Sequence, residues 1–520
     1  MTSSVIPKKV LILAIVLPLA AFLGIQLADQ DFEAWGLVLL LAGVLCIPLL
    51  LKWHHPFLVF CWNLPMTLFF LPGNPSLWMA MGFVSLGMSI LAMVMDKETK
   101  LIHVPSLTWA MIGLVLVVLF TMKMTGGGLG LRSLGGSSFG GRKYFYILFA
   151  VVGYFAISCR RIPSAEVNKN VAFFFLPGTI SLLSNFIYLL GPGLWFLYYL
   201  IPVDYVLMQA ADDFGGNPYS LRIGRVGGLA VFGTTVFSYL LARYGIRGLF
   251  APGKLWRALA LAVVIVLGLM GGFRSVLITF ALLFSIQFFL EGLHKTRLLP
   301  AILAVGLIGF LALIPFAQKL PLAVQRCLTV LPIEVNPAIR ADAKGSTEWR
   351  LQMWQSIIPE IPKYLWVGKG YTTRGSELYL TAMAGRFGIG EGHESSLASG
   401  DFHNGPLSVI IPFGIWGALA FLFFIGASVR VLYLNYSNGD PSIKHINTFL
   451  LAAFLARVIF FFFVFGAVHT DVPILAGLVA LSVSLNGGVC REPVAAPAQP
   501  APEPVVGARI RPRRWVPVRA

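Results

Sequence analysis

Runs of about twenty apolar residues, repeated along nearly the whole chain and joined by short basic connections, limit what this sequence can fold into. A run of that length crosses the hydrocarbon core of a bilayer as a helix, because a helix satisfies every backbone polar group within the segment. The runs fall at 10–28, 35–51, 56–72, 77–95, 106–122, 143–159, 171–190, 226–244, 257–273, 275–290, 298–316, 406–428, 447–468 and 471–487. Only 12% of the 520 residues are charged, about half the share in a soluble domain. The expected fold is therefore all-α: a polytopic integral membrane helix bundle of about 12–14 transmembrane helices. The start, "PKKVLILAIVLPLAAFLGIQLA", would also suit a signal peptide, but no small-x-small cleavage site follows, so an uncleaved first helix is the better reading.

The formal charge of +17 would suggest nucleic acid in a soluble domain. Here Lys and Arg sit mostly in short loops between spans, where they set orientation, so no nucleic-acid partner is expected. An even number of spans puts both termini on one side, and the basic loops make that side cytoplasmic. The outer side then receives the glycine-rich 125–143, the segment 191–225, the tight turn "GGFRS" and one large loop. The chain divides into helices one to eleven with short loops (1–316), the large outer loop with short helices (317–405), C-terminal spans (406–487) and a basic, Pro/Ala-rich cytoplasmic tail expected to be disordered (488–520). In the large loop, Trp349, Leu351, Met353, Trp354, Ile357 and Ile358 suit an amphipathic helix ended by Pro362. The five cysteines show no CxxC spacing, so neither a disulfide framework nor a zinc site is expected.

Polar chemistry concentrates on the outer side. Arg222 and Arg225 precede a span there, against the positive-inside bias, as interfacial anchors or as anion contacts. Arg274 lies between two apolar runs, where a guanidinium is costly unless it meets an anion, a carboxylate or a carbonyl. Gly271 and Gly272 would let backbone approach whatever Arg274 contacts. Arg457, within a span, calls for an interhelical partner, while His469 and Asp471 are either solvated or at a cavity edge. Arg350 reads equally as an anion contact or a surface charge. The stretch "GIGEGHESSLASGDFHNGP" gathers Glu391, Asp401, His403 and Asn404 at the mouth of a span. Asp401 and His403 could pair on a divalent metal, or His403 as neutral imidazole could accept or orient a hydroxyl proton.

"HNGPLSVIIPFGIWGALAFLFF" resembles the His-Asn-x-x-Leu…Gly-hydrophobic-x-Gly signature closing the large periplasmic loop of the O-antigen ligase and Wzy-type O-antigen polymerase superfamily. "RVGGLAVFGTTVFSYLLA", "GGFRSVLITFALLF" and "STEWRLQMWQSIIPEIPKYLWVGKGY" resemble three further family segments, in order, over roughly 125 to 435. Phe273 stands where the family has a serine before the arginine, and the span count exceeds the usual twelve or so.

The resemblance implies a metal-independent, cofactor-free glycosyltransferase in a bacterial inner membrane, with its active site facing the periplasm. Its donor would be a glycan on undecaprenyl diphosphate. Arg222, Arg225, Arg274 and Arg350 would bind the diphosphate, Arg274 and His403 would be catalytic, and His403, Asn404 and Asp401 would serve the acceptor. That acceptor would be lipid A core for a ligase, a lipid-linked repeat for a polymerase or, ranked last, a protein hydroxyl. Two rivals are a polysaccharide transporter or flippase without covalent chemistry, and a metal-dependent transferase using Glu391, Asp401 and His403.

Overall fold

The computed structural model describes residues 52–71, 73–96, 101–126, 141–204, 225–371 and 399–492, with a few isolated positions besides. The spans expected at 10–28 and 35–51, most of the glycine-rich 125–143 and the tail beyond 492 lie outside the described residues.

Those residues build a helical membrane bundle. Eight of its helical segments are long and apolar enough to cross a bilayer: Leu77–Met95, Pro105–Met124, Ser164–Leu190, Gly227–Leu249, Leu298–Lys319, Gly405–Asn438, Pro441–Phe463 and Val468–Asn486. Leu255–Leu269 and Arg274–Leu290 are shorter apolar helices, and Arg142–Ser158 packs along Val468–Asn486 and Leu77–Met95. Val468–Asn486 lies at the centre, with Leu475, Val479, Ala480, Leu481 and Val483 wholly buried. Leu298–Leu313 has no buried residue, and only a few of its side chains, Leu298, Leu299 and Ile302 among them, are partly buried against the core.

One expected span is not continuous. The helix of the 56–72 run ends at 61, and beyond Trp62 the chain is irregular, with an isolated bridge between Thr67 and Ser76. Pro65 has no N–H to continue a helix, and the Asn63 side-chain amide donates to the Phe174 carbonyl at 2.7 Å.

The large loop folds onto the bundle through α1 (Leu322–Leu328), α2 (Pro337–Ile357) and α3 (Ile361–Tyr364). In α2, Ile339, Ala343, Met353 and Ile357 recur near helical spacing and are its buried face. It ends at Ile357, with Pro359 in a short 3₁₀ turn. Pro362, expected as the terminator, instead sits in the first turn of α3, where a missing N–H costs nothing.

The loop docks where α4 (Gly405–Asn438) breaks. Pro412 and Gly414, the latter with φ 65° and ψ −161°, interrupt the helical ladder. The freed carbonyls of Ile411 and Pro412 accept from Lys369 N (2.7 Å) and Gly370 N (3.0 Å), while Ile415 N donates to Leu365 O (2.7 Å). Gly368 (φ 82°) and Gly370 (φ 69°) supply the left-handed turn that lets this segment lie against the break. Every exposed backbone group of a broken membrane helix needs such a partner.

Candidate functional site

The Gly271–Gly272 turn gathers the arginines. It joins α5 (Leu255–Leu269) to α6 (Arg274–Leu290). Gly271 O accepts from Val226 N at 3.1 Å, which pins the entry of α7 (Gly227–Leu249) and Arg225 beside it. A Cβ on Gly271 would lie 2.8 Å from Ala230 N. The close approach Gly271 allows is thus to α7. Gly272 O accepts from Arg326 of α1 at 3.2 Å.

Helix α2 meets three guanidiniums, two through the Asp342 carboxylate and one through the Thr347 hydroxyl. Asp342 Oδ2 accepts from Arg326 Nε at 2.6 Å, and its Oδ1 lies 3.7 Å from Arg225. Arg274 donates to Thr347 Oγ1 at 3.3 Å, and the Thr347 hydroxyl in turn donates to Ala343 O at 3.1 Å. Asp342 and Arg350 are eight residues apart on one helix and so share a stripe of its surface. Burial holds the Arg225 and Arg350 guanidiniums below the ordinary arginine range, and their guanidinium neighbours, Arg274 and Arg326 for both, push the same way. They remain cations. Four mutually influencing guanidiniums are therefore gathered with one aspartate that pairs with two of them, an arrangement that favours an anion.

His403 stands at the other end of α2. It occupies a left-handed conformation (φ 49°), uncommon for a residue with a side chain. Two anchors hold it there. Phe402 is buried with Ile357, Leu407 and Ile411, and its carbonyl accepts from Trp354 Nε1 at 2.8 Å. Asn404 caps α4, its side chain accepting from Leu407 N at 3.0 Å. The imidazole lies between Trp349 and Phe465, with ring centroids 5.6 and 5.1 Å away. Its Nδ1 is 3.7 Å from Asp401 Oδ1, and neither buried atom makes a hydrogen bond among the described residues. Burial lowers the His403 pKa below the ordinary imidazole value; Asp401 opposes this, while Arg350 and Lys143 add to it. Arg350 feels both Arg274 and Asp401, so it links the two halves of the site.

Sequence reasoning missed four of these groups. Arg326 is 4% exposed, and as an arginine in "PLAVQRCLTV", within the loop expected on the outer side, it carried the same signal as Arg225. Asp342 offered no signal. Lys143 is buried, donates to Ser399 O at 2.7 Å and lies 5.6 Å from the Tyr371 ring centre; as a cation at the end of a span expected to face outward it was visible. Tyr371, whose backbone N–H donates to the Tyr144 hydroxyl at 2.8 Å, was not. Arg222 and Glu391 lie outside the described residues. Arg457 does have its interhelical partner: its Nε lies 2.5 Å from Asp471 Oδ1, and Ala467 N donates to Oδ2 at 2.9 Å. Asp471 is 0% exposed, so it is neither solvated nor at a cavity edge.

Fold and site together define a multi-pass helical membrane protein with guanidinium groups concentrated at one end of its bundle. No family model matches the sequence, and no curated protein matches it.

Proposed function

We propose that this protein is a membrane glycosyltransferase that moves a glycan from a polyprenyl diphosphate, undecaprenyl diphosphate in a bacterial inner membrane, to an acceptor hydroxyl at the periplasmic face. The observation that carries this reading is the cluster of Arg225, Arg274, Arg326 and Arg350, in which Asp342 pairs with Arg225 and Arg326, and Arg350 lies within the influence of Asp401 beside His403. The resemblance to O-antigen ligases and polymerases supports it independently.

In the proposed step, the acceptor oxygen attacks the anomeric carbon and forms the new glycosidic bond. The bond from that carbon to the diphosphate oxygen breaks, and its electron pair stays on the diphosphate. The arginines stabilise the charge that grows there, chiefly through bidentate guanidinium contacts. His403, kept neutral by burial, takes the hydroxyl proton. Asp401 stands beside Nδ1, where it favours the imidazolium that results. Asn404 acts on this side by setting the backbone that presents His403.

The test is transfer by the purified protein from a lipid-linked oligosaccharide, with lipid A core or a second lipid-linked repeat offered as acceptor. His403→Ala and Arg274→Ala should each abolish turnover, and EDTA should leave the wild type unaffected. Full activity in both variants defeats the reading. EDTA sensitivity favours a metal at Asp401 and His403. The preferred acceptor separates ligase from polymerase.

A further inference from the structure

A cavity of about 300 Å³ opens at the opposite end of the bundle from the arginine cluster. The helix Pro105–Met124 begins at this cavity, and α4 passes it with Arg430 and Val431, about 38 Å from the start of α4 at Gly405 at 1.5 Å per residue. The chain beyond Val468–Asn486 closes it with Val489 and Arg491. Its lining is divided by chemistry. Arg430, Arg491, His103 and Ser106 supply polar groups, and Val104, Val431 and Leu434 supply an apolar wall. Val104 and Val431 are buried, whereas both arginines are exposed. Among the described residues no carboxylate lines the cavity. None among the described residues pairs with either arginine. His103 Nδ1 lies 3.4 Å from Thr108 Oγ1, which orients its ring at the rim.

We infer that this cavity binds the phosphate of an anionic membrane lipid, a site separate from the proposed transfer centre and independent of that reading. Two guanidiniums without carboxylates match a phosphate with several acceptor oxygens. The level is right for a lipid headgroup, because the cavity sits at the first turn of a membrane span. The apolar wall beside the cations suits the glycerol and upper acyl carbons that a free phosphate lacks.

The experiment measures binding of dihexanoyl phosphatidylglycerol to the full-length protein in neutral detergent. Dihexanoyl phosphatidylcholine and inorganic phosphate are the comparison ligands. Phosphatidylglycerol should bind saturably and phosphatidylcholine should not. Arg430→Ala and Arg491→Ala should each weaken binding about tenfold or more, and Lys254→Ala, a cation elsewhere on the surface, should change nothing. Retention volume on gel filtration checks that the variants fold. Equal binding by wild type and the Arg430→Ala/Arg491→Ala double variant overturns the site. Inorganic phosphate competing as well as the lipid overturns the lipid assignment.

Discussion

Asp342 Oδ2 stands 2.6 Å from Arg326 Nε while its Oδ1 faces Arg225 at 3.7 Å, so one carboxylate orders two guanidiniums from different elements. Arg326 is 4% exposed, and a buried cation stripped of its partner is strongly destabilising. Asp342→Ala should therefore lower the thermal midpoint in detergent and reduce transfer. Asp342→Asn keeps a hydrogen-bond acceptor but raises the charge of the cluster. It should bind the anionic donor at least as tightly yet turn it over more slowly, read as a fall in kcat without a rise in KM. A rise in KM alone would remove Asp342 from the positioning of these groups.

The pH profile follows from His403. Burial first, then Arg350 and Lys143, hold its pKa below the ordinary value against the pull of Asp401. The neutral base therefore persists below about pH 6.5, and the acid limb of kcat/KM should lie below that value. Asp401→Asn removes the one influence that raises the pKa, so the limb should move to lower pH. Arg350→Gln removes a lowering influence and should move it up. The sign for stability is the same: the unfolded chain binds this proton more readily, so the His403 contribution to stability is lost as pH falls below about 6.5. An acid limb that stays in place in both variants would separate it from His403.

Arg457 and Asp471 form a pair inside the bundle. Asp471→Asn or Arg457→Met alone leaves one charge without its counterpart and should cost about 3–5 kcal/mol. Removing both, as Arg457→Met with Asp471→Leu, should recover much of that loss. Thermal melts of the four proteins give the coupling directly. Additive losses would mean that the pair contributes no interaction of its own.

The docking of the large loop depends on Gly414. Its dihedral angles belong to a region used almost only by glycine, and a Cβ there would lie 2.6 Å from Leu365 O. Gly414→Ala should destabilise the protein by about 2 kcal/mol or more and expose 365–371 to limited proteolysis. Gly426→Ala on the same helix meets open space and should be neutral or slightly stabilising.

The spans were legible because a bilayer imposes the same length and apolarity on each of them. Leu298–Leu313 was as clear in the sequence as Val468–Asn486, although one has no buried residue and the other is mostly buried. Hydropathy cannot tell lipid from protein as the surrounding medium. The run at 56–72 misled because its composition outweighs the break that Asn63 and Pro65 impose. The helix over Trp349 to Ile357 was correct in kind, but Pro359 and not Pro362 follows its end.

For the site, the sequence by itself determined which residues were costly where they stood. An arginine between two apolar runs, or a histidine opening a span, needs a reason that local physics does not supply; Arg225, Arg274 and His403 were visible on that ground. Arg326 was visible too, had the same criterion been applied. Only the tertiary structure decided the partners, because Asp342 meets Arg326 and Arg225 through contacts between separate elements of the chain. The left-handed His403 between Phe402 and Asn404 was likewise beyond reach of the sequence, since a backbone angle held by packing from α2 leaves no local signature.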